Sequence, residues 1–173
     1  MQVVYIYPME RKMLALRDER ITEKMSQTSV IVKTKLAINP QFTFLHEGIV
    51  KFEGVIKRYK KKPFHIVYVI TDASGRPMGS IKIAPVMDKK SIFKEMILDI
   101  ENVTYRFSPT IAVKDFEIVE EASGIIVANG TRTPTFFANF LERQRYSVEI
   151  FESAIQKELW VPILKGISVL LND

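Results

Sequence analysis

The chain has 173 residues, 47% of them hydrophobic and 26% charged, with a net charge of +5. That is enough apolar material for one globular domain with a sizeable core, and no stretch approaches the ~20 apolar residues of a membrane-spanning helix. With no cysteine, disulfides, thiolate metal sites, palmitoylation and prenylation are excluded, which suits a reducing interior; Gln2 in place of glycine removes myristoylation, and no secretory leader is expected.

Residues 3–7 alternate like a short strand or docking arm and end at Pro8. Over 9–25, Met9, Met13, Leu16 and Arg20 share one side, which predicts an amphipathic helix. Val30, Val32, Leu36 and Ile38 alternate with Lys33 and Lys35, so 29–38 is expected to be a strand. Asn39-Pro40 stops it and opens a helix over 43–60, where Leu45, Ile49, Phe52, Ile56 and Tyr59 recur at spacings of 4, 3, 4 and 3. Strands follow over 64–71 and 78–84, joined by the reverse-turn run Asp72-Ala-Ser-Gly-Arg-Pro. Ile92, Met96 and Ile100 predict a helix over 88–100, capped by Asp88. Residues 103–107 and 111–120 read as strands, Ser123-Gly124 turns the chain into 125–128, and Asn129-Gly130 is a second turn signal. After Pro134 the pattern becomes helical, broken near Tyr146, with Val148, Phe151, Ile155 and Leu159 as one stripe and Pro162 before an apolar tail. The expectation is therefore α+β: a single compact domain over 1–173, mainly antiparallel sheet packed with several helices, with 1–25 as a docking arm or helix.

Catalytic patterns fail on inspection. His46-Glu47 begins like a zinc-protease motif, but Val50 stands where the second histidine belongs. His65 reads as a strand-face residue. Gly75 and Gly79 flank a hairpin and lack the Lys-Ser/Thr of a phosphate loop. Asp99 and Glu101 straddle Ile100 as a carboxylate pair, with solvation at a helix end as the plainer reading. No catalytic residue, metal or cofactor is assigned.

Binding chemistry is easier to find. Lys57, Arg58, Lys60, Lys61 and Lys62 put five cations in six positions, interrupted only by Tyr59, which the helix pattern turns toward the core. Such a cluster repels itself, so an anionic partner explains it better than folding does. Without interleaved aromatics it suits phosphate backbones or lipid headgroups rather than base reading. Near an anionic membrane each cation contributes roughly 1 kcal/mol, and an apolar insertion is needed besides. Phe136 and Phe137, in Thr133-Pro-Thr-Phe-Phe, could supply it, with core packing as the alternative; Lys89, Lys90 and Lys94 form a second basic site or a solvated helix face. Residues 1–100 hold 18 Lys+Arg against 10 Asp+Glu and residues 101–173 hold 7 against 10. A basic front and acidic back allow head-to-tail contact between copies.

Val32-Lys33, Asn39 and Phe42, an expected helix, and Lys61-Lys62-Pro63-Phe64 leading into a strand resemble the core of rhabdovirus matrix proteins, where a Val-Lys strand precedes an Asn-x-x-Phe turn, a helix and a Lys-Arg-Pro-Phe run. Val119-Glu120-Glu121-Ala122-Ser123-Gly124 is similar to that family's Val-Glu-Lys-Lys-Ala-Ser-Gly. The likeness covers about 31–70 and 117–128. It implies a self-assembling structural protein of the virion, beneath the envelope and in the host cytoplasm at membranes, that condenses the nucleoprotein/RNA complex and bridges it to the inner leaflet. Lys57, Arg58, Lys60, Lys61 and Lys62 would face nucleocapsid or lipid. The lysine-rich arm and the budding motifs of the animal-virus proteins are missing, as in short plant-virus forms. A nucleic-acid- or nucleoprotein-binding module without lipid contact, and a small enzyme using carboxylates or His46, are the alternatives.

Overall fold

The computed structural model describes residues 3–10, 19–23, 29–35, 39–59, 62–84, 95–109, 115–133, 143–151 and 154–172. Twelve strands follow one another: β1 (Val3–Glu10), β2 (Glu19–Glu23), β3 (Ser29–Lys35), β4 (Gln41–His46), β5 (Ile49–Tyr59), β6 (Lys62–Asp72), β7 (Pro77–Ile83), β8 (Met96–Ile100), β9 (Val103–Pro109), β10 (Asp115–Glu120), β11 (Ile126–Thr133) and β12 (Arg143–Ile150). Each pairs antiparallel with its neighbours in sequence, and β1 pairs with β12 from Val3↔Ile150 to Glu10↔Arg143, closing an up-and-down barrel without a free edge. The chain ends in a 3₁₀ turn (Lys157–Leu159) and the helix α1 (Trp160–Asn172).

The expectation of an α+β fold with several helices is overturned: among the described residues the sheet is entirely antiparallel and α1 is the one α-helix. The predicted helix over 43–60 is the β4–β5 hairpin. Its two loop residues, Glu47 and Gly48, both have positive φ (51° and 79°) and lie between the pair His46↔Ile49, as a tight primed turn requires. The C-terminal part of the predicted helix over 88–100 is β8, joined to β9 through Glu101 and Asn102, again both at positive φ; Asp88 lies outside the described residues. Residues 3–7, expected as a short strand or docking arm, begin β1, which runs past Pro8; Met9, Glu10 and 19–23 are in strands where a helix over 9–25 was expected, and 143–150 is a strand within the expected terminal helix. The strands expected near 29–38, 64–71, 78–84, 103–107 and 111–120 correspond to β3, β6, β7, β9 and β10.

Alternation explains the barrel. Phe42, Phe44, Phe52, Ile56, Tyr68, Ile70, Ile81, Leu98, Tyr105, Phe107, Phe116, Ile118 and Val148 point inward and are buried. Lys33, Glu53, Lys82, Asp99, Arg106, Glu117 and Glu149 occupy the alternate, outward positions. That is the inverse of a membrane-spanning barrel, whose outer band is apolar. No helix among the described residues is long and apolar enough to cross a membrane.

A barrel of about eleven strands is already wide enough to hold a helix. Here α1 fills the lumen: every residue from Trp160 to Leu170 is buried, and its sequence is apolar around nearly its whole circumference. Pro162 falls in the first turn, where its missing N–H costs nothing. The fit depends on glycine. A Cβ on Gly54 of β5 or Gly166 of α1 would collide with the Tyr68 side chain, and one on Gly130 would collide with the Phe116 ring. Asn129-Gly130 is therefore no turn. It lies inside β11, where Gly130 faces Phe116 and leaves room for the ring.

The Tyr68 hydroxyl is buried without a hydrogen-bond partner among the described residues, and burial raises its pKa well above the ordinary tyrosine value. Tyr68→Phe is expected to leave stability unchanged or raise it by about 1–3 kcal/mol, because the mutation removes an unmet desolvation cost. Above about pH 10 the unfolded chain loses this proton while the fold retains it. Stability then falls with rising pH, by about 1.4 kcal/mol per pH unit for this group. Denaturant titrations at pH 9 to 11 (~ values bracketing the ordinary tyrosine pKa) should show a shallower decline in Tyr68→Phe than in the parent.

Candidate functional site

Antiparallel connectivity gives the barrel two unlike ends. One carries the tight turns: Glu47-Gly48, the loop 73–76, Glu101-Asn102, and 121–125. The segment from Phe151 to the start of α1 lies there too, so α1 runs inward from this end. The other end holds the termini of the strands that bracket 11–18, 36–38, 60–61, 85–94, 110–114 and 134–142.

Lys57, Arg58 and Lys62, the described members of the basic cluster, belong to that second end, whereas His46, Asp99 and Glu101 lie toward the first. The cluster expected at a helix terminus is instead at a strand hairpin, β5–β6, whose last pair is Tyr59↔Lys62. Lys57 and Arg58 are exposed near the end of β5, and Lys35 is exposed at the end of β3, two strands away. Tyr59, expected to face the core, is 49% exposed. Lys62 takes part in β6 through its backbone. Lys60, Lys61, Lys89, Lys90, Lys94, Phe136 and Phe137 lie outside the described residues. Even so, the strand ends on either side of 60–61, 85–94 and 134–142 all sit at this one end.

The tight-turn end is acidic. Glu47, Asp72, Glu101, Glu120, Glu121 and Glu158 are there, with Lys51, Arg76 and Lys157 as cations and Arg106 reaching Glu121. Two of the carboxylates are held by neighbouring side chains, Asp72 within its own turn and Glu121 by an arginine of β9. Asp72 accepts hydrogen bonds from the Ser74 hydroxyl (2.6 Å), the Ser74 and Arg76 amides (2.9 and 3.0 Å) and the Arg76 guanidinium (3.1 Å). The Ser74 hydroxyl bond leads in lowering its pKa. Arg106 pairs with Glu121 at 2.8 Å, and that hydrogen bond, with the glutamate charge, raises the guanidinium pKa. Among the described residues, the exposed cations Lys35, Lys57 and Arg58 lie at the second end, while these carboxylates lie at the first.

Several large apolar side chains are exposed at the acidic end: Ile49 (61%) and Val50 on the β4–β5 hairpin, and Ile125 and Ile126 on β10–β11. Between the β4–β5 hairpin and the approach to α1 lies a depression of about 370 Å³, lined by His46, Glu47, Ile49, Lys51, Phe52, Gln156 and Glu158. Sequence reasoning placed Ile49 and Phe52 on a helix face and so missed it; the Glu47-Gly48 turn was the overlooked signal. His46, Glu47 and Glu158 make no side-chain hydrogen bond with one another among the described residues. Asp99 and Glu101 are not a working pair either. Asp99 accepts from Lys82 (3.2 Å) and the Thr104 hydroxyl (3.0 Å), while Glu101 accepts from Gln156 (2.7 Å), 55 residues away in sequence. No group of three or more metal-ligating side chains occurs among the described residues. Compared with protein-family models, curated proteins and solved structures, the chain has no match.

Proposed function

We propose that this chain is a non-catalytic structural protein that docks end-on to an anionic surface through the lysine-rich end of its barrel. In its most specific form it is a viral matrix protein, which assembles with itself, condenses nucleoprotein and RNA, and attaches them to the inner leaflet. One observation carries the reading: connectivity draws the Lys57–Lys62 hairpin and the strand ends around 85–94 and 134–142 to the same end. The described cations there, Lys35, Lys57 and Arg58, are exposed, and the aromatic side chain of Tyr59 is exposed beside the last two. Several cations near an anionic bilayer, each contributing about 1 kcal/mol, give attachment that salt weakens. The second reading, nucleoprotein or RNA binding without lipid, draws on the same cations.

Flotation with phosphatidylcholine vesicles, with and without phosphatidylserine, tests this at about 150 mM salt. The parent should float only with phosphatidylserine. Lys60→Glu/Lys61→Glu/Lys62→Glu should keep a native far-UV spectrum and lose at least about a hundredfold in binding. A parent that stays at the bottom with both vesicles but binds RNA in a salt-dependent way supports the lipid-free reading. A triple variant that fails to fold makes the cluster structural and removes the site.

A further inference from the structure

We infer that the depression beside the β4–β5 turn is a docking site for the β5–β6 hairpin of a second copy of this chain, which makes the protein a head-to-tail assembler. Each surface supplies what the other lacks. The depression has Phe52 and the exposed Ile49 as its apolar part, and its polar lining includes two carboxylates, Glu47 and Glu158, against one cation, Lys51. The hairpin presents the half-exposed aromatic Tyr59 flanked by exposed Lys57 and Arg58. A partly apolar notch in which carboxylates outnumber the one lysine suits an aromatic knob edged with cations, and two such knobs repel each other. The acidic turns Glu101, Glu120 and Glu121 extend the complementary field across that end.

The geometry excludes a closed dimer. Knob and notch occupy opposite ends of one strand, β5, so each copy offers an unused knob after filling its own notch. Ile49 and Tyr59 are ten residues apart, about 33 Å along a strand. In a barrel of about 75 Å circumference with strands tilted about 40°, that separation carries the knob roughly 100° around the axis. Successive copies therefore turn as they stack, and a heterologous contact of this kind propagates as an open helical filament. The end of such a barrel covers about 450 Å², at the small end for protein interfaces, so the contact is weak and depends on salt.

This goes beyond the proposed surface binding, although the two share the β5–β6 hairpin. A copy held on an anionic surface still presents its acidic end to the next. Sedimentation velocity at about 20 mM and about 300 mM NaCl tests the contact. The parent should form oligomers of increasing size with concentration at low salt, with no preferred stopping size, and sediment as a monomer at high salt. Glu47→Lys/Glu158→Lys should be monomeric at both salts yet still float with anionic vesicles, whereas Lys57→Glu/Arg58→Glu should lose both properties. Mixing the two variants should restore association, since each has one surface the other needs. Ile49→Ser, which keeps every charge, should weaken the contact at least about tenfold. A parent that stays monomeric at low salt, a fixed-size dimer, or folded variants that do not associate on mixing would overturn the inference while leaving the surface-binding proposal standing.

Discussion

Gly166→Ala is expected to destabilise this protein by about 1–3 kcal/mol, and Gly166→Val by more. The sign is the informative part. At an exposed position within a helix, exchanging glycine for alanine gains about 1 kcal/mol from helix propensity and reduced unfolded-chain entropy. In the barrel the added Cβ would meet the Tyr68 ring and lie 2.8 Å from Ile81 Cδ1. Tyr68 cannot retreat, because its far side is against Gly54 of the barrel wall, and packed interiors transmit such strain instead of absorbing it. Trp160, the only tryptophan, is 1% exposed at the start of the same helix and reports directly on its placement. Denaturant unfolding followed by its fluorescence should show a lower midpoint for Gly166→Ala. Combining it with Tyr68→Leu should recover part of the loss, with a coupling of about 1 kcal/mol or more. A stabilised Gly166→Ala would mean that α1 does not lie against β6.

The hairpins that sequence reasoning found and those it missed differ in their turn chemistry. Asp72-Ala-Ser-Gly-Arg advertises itself, and in the fold the Asp72 carboxylate gathers the amides of Ser74 and Arg76, with Gly75 at φ 85°. Glu47-Gly48 and Glu101-Asn102 reverse the chain in only two residues, and each opens on a glutamate, a residue that seldom takes positive φ. Without a clear break, the apolar residues on either side merged into an apparent helical period. Leu45, Ile49, Phe52, Ile56 and Tyr59 show how that happens: Phe52 and Ile56 face the lumen of β5, Ile49 and Tyr59 are the exposed ends of that strand, and Leu45 belongs to the other arm of the hairpin. Asn129-Gly130 misled in the opposite direction, since its glycine accommodates an aromatic ring, not a turn. The basic hairpin was legible because charge density survives a wrong assignment of secondary structure. Its convergence with the strand ends around 85–94 and 134–142 was not, because that depends on an even alternation of strands around a closed barrel.

Ending the chain at Phe151 is expected to abolish folding altogether, the largest single effect in the molecule. The cut removes Trp160, Val161, Ile163, Leu164, Ile167, Val169 and Leu170, all buried in the lumen. At about 1.5–3 kcal/mol for each side chain, the loss is roughly 10–20 kcal/mol, as large as or larger than the entire stability of an ordinary domain. The inward rings of Phe42, Tyr68 and Phe107 would then line an empty lumen too wide for side chains alone to fill. By contrast, Leu164→Ala should cost only about 2–5 kcal/mol, since one truncated side chain leaves the rest of α1 in place. The shortened chain should lack near-UV dichroism, bind hydrophobic dye and unfold without a cooperative transition. A peptide spanning 152–173, added in trans, should restore cooperativity, because what the wall lacks is the helix and not the covalent link. If the shortened chain instead unfolds cooperatively on its own, the wall has a core of its own and the lumen can exist without α1.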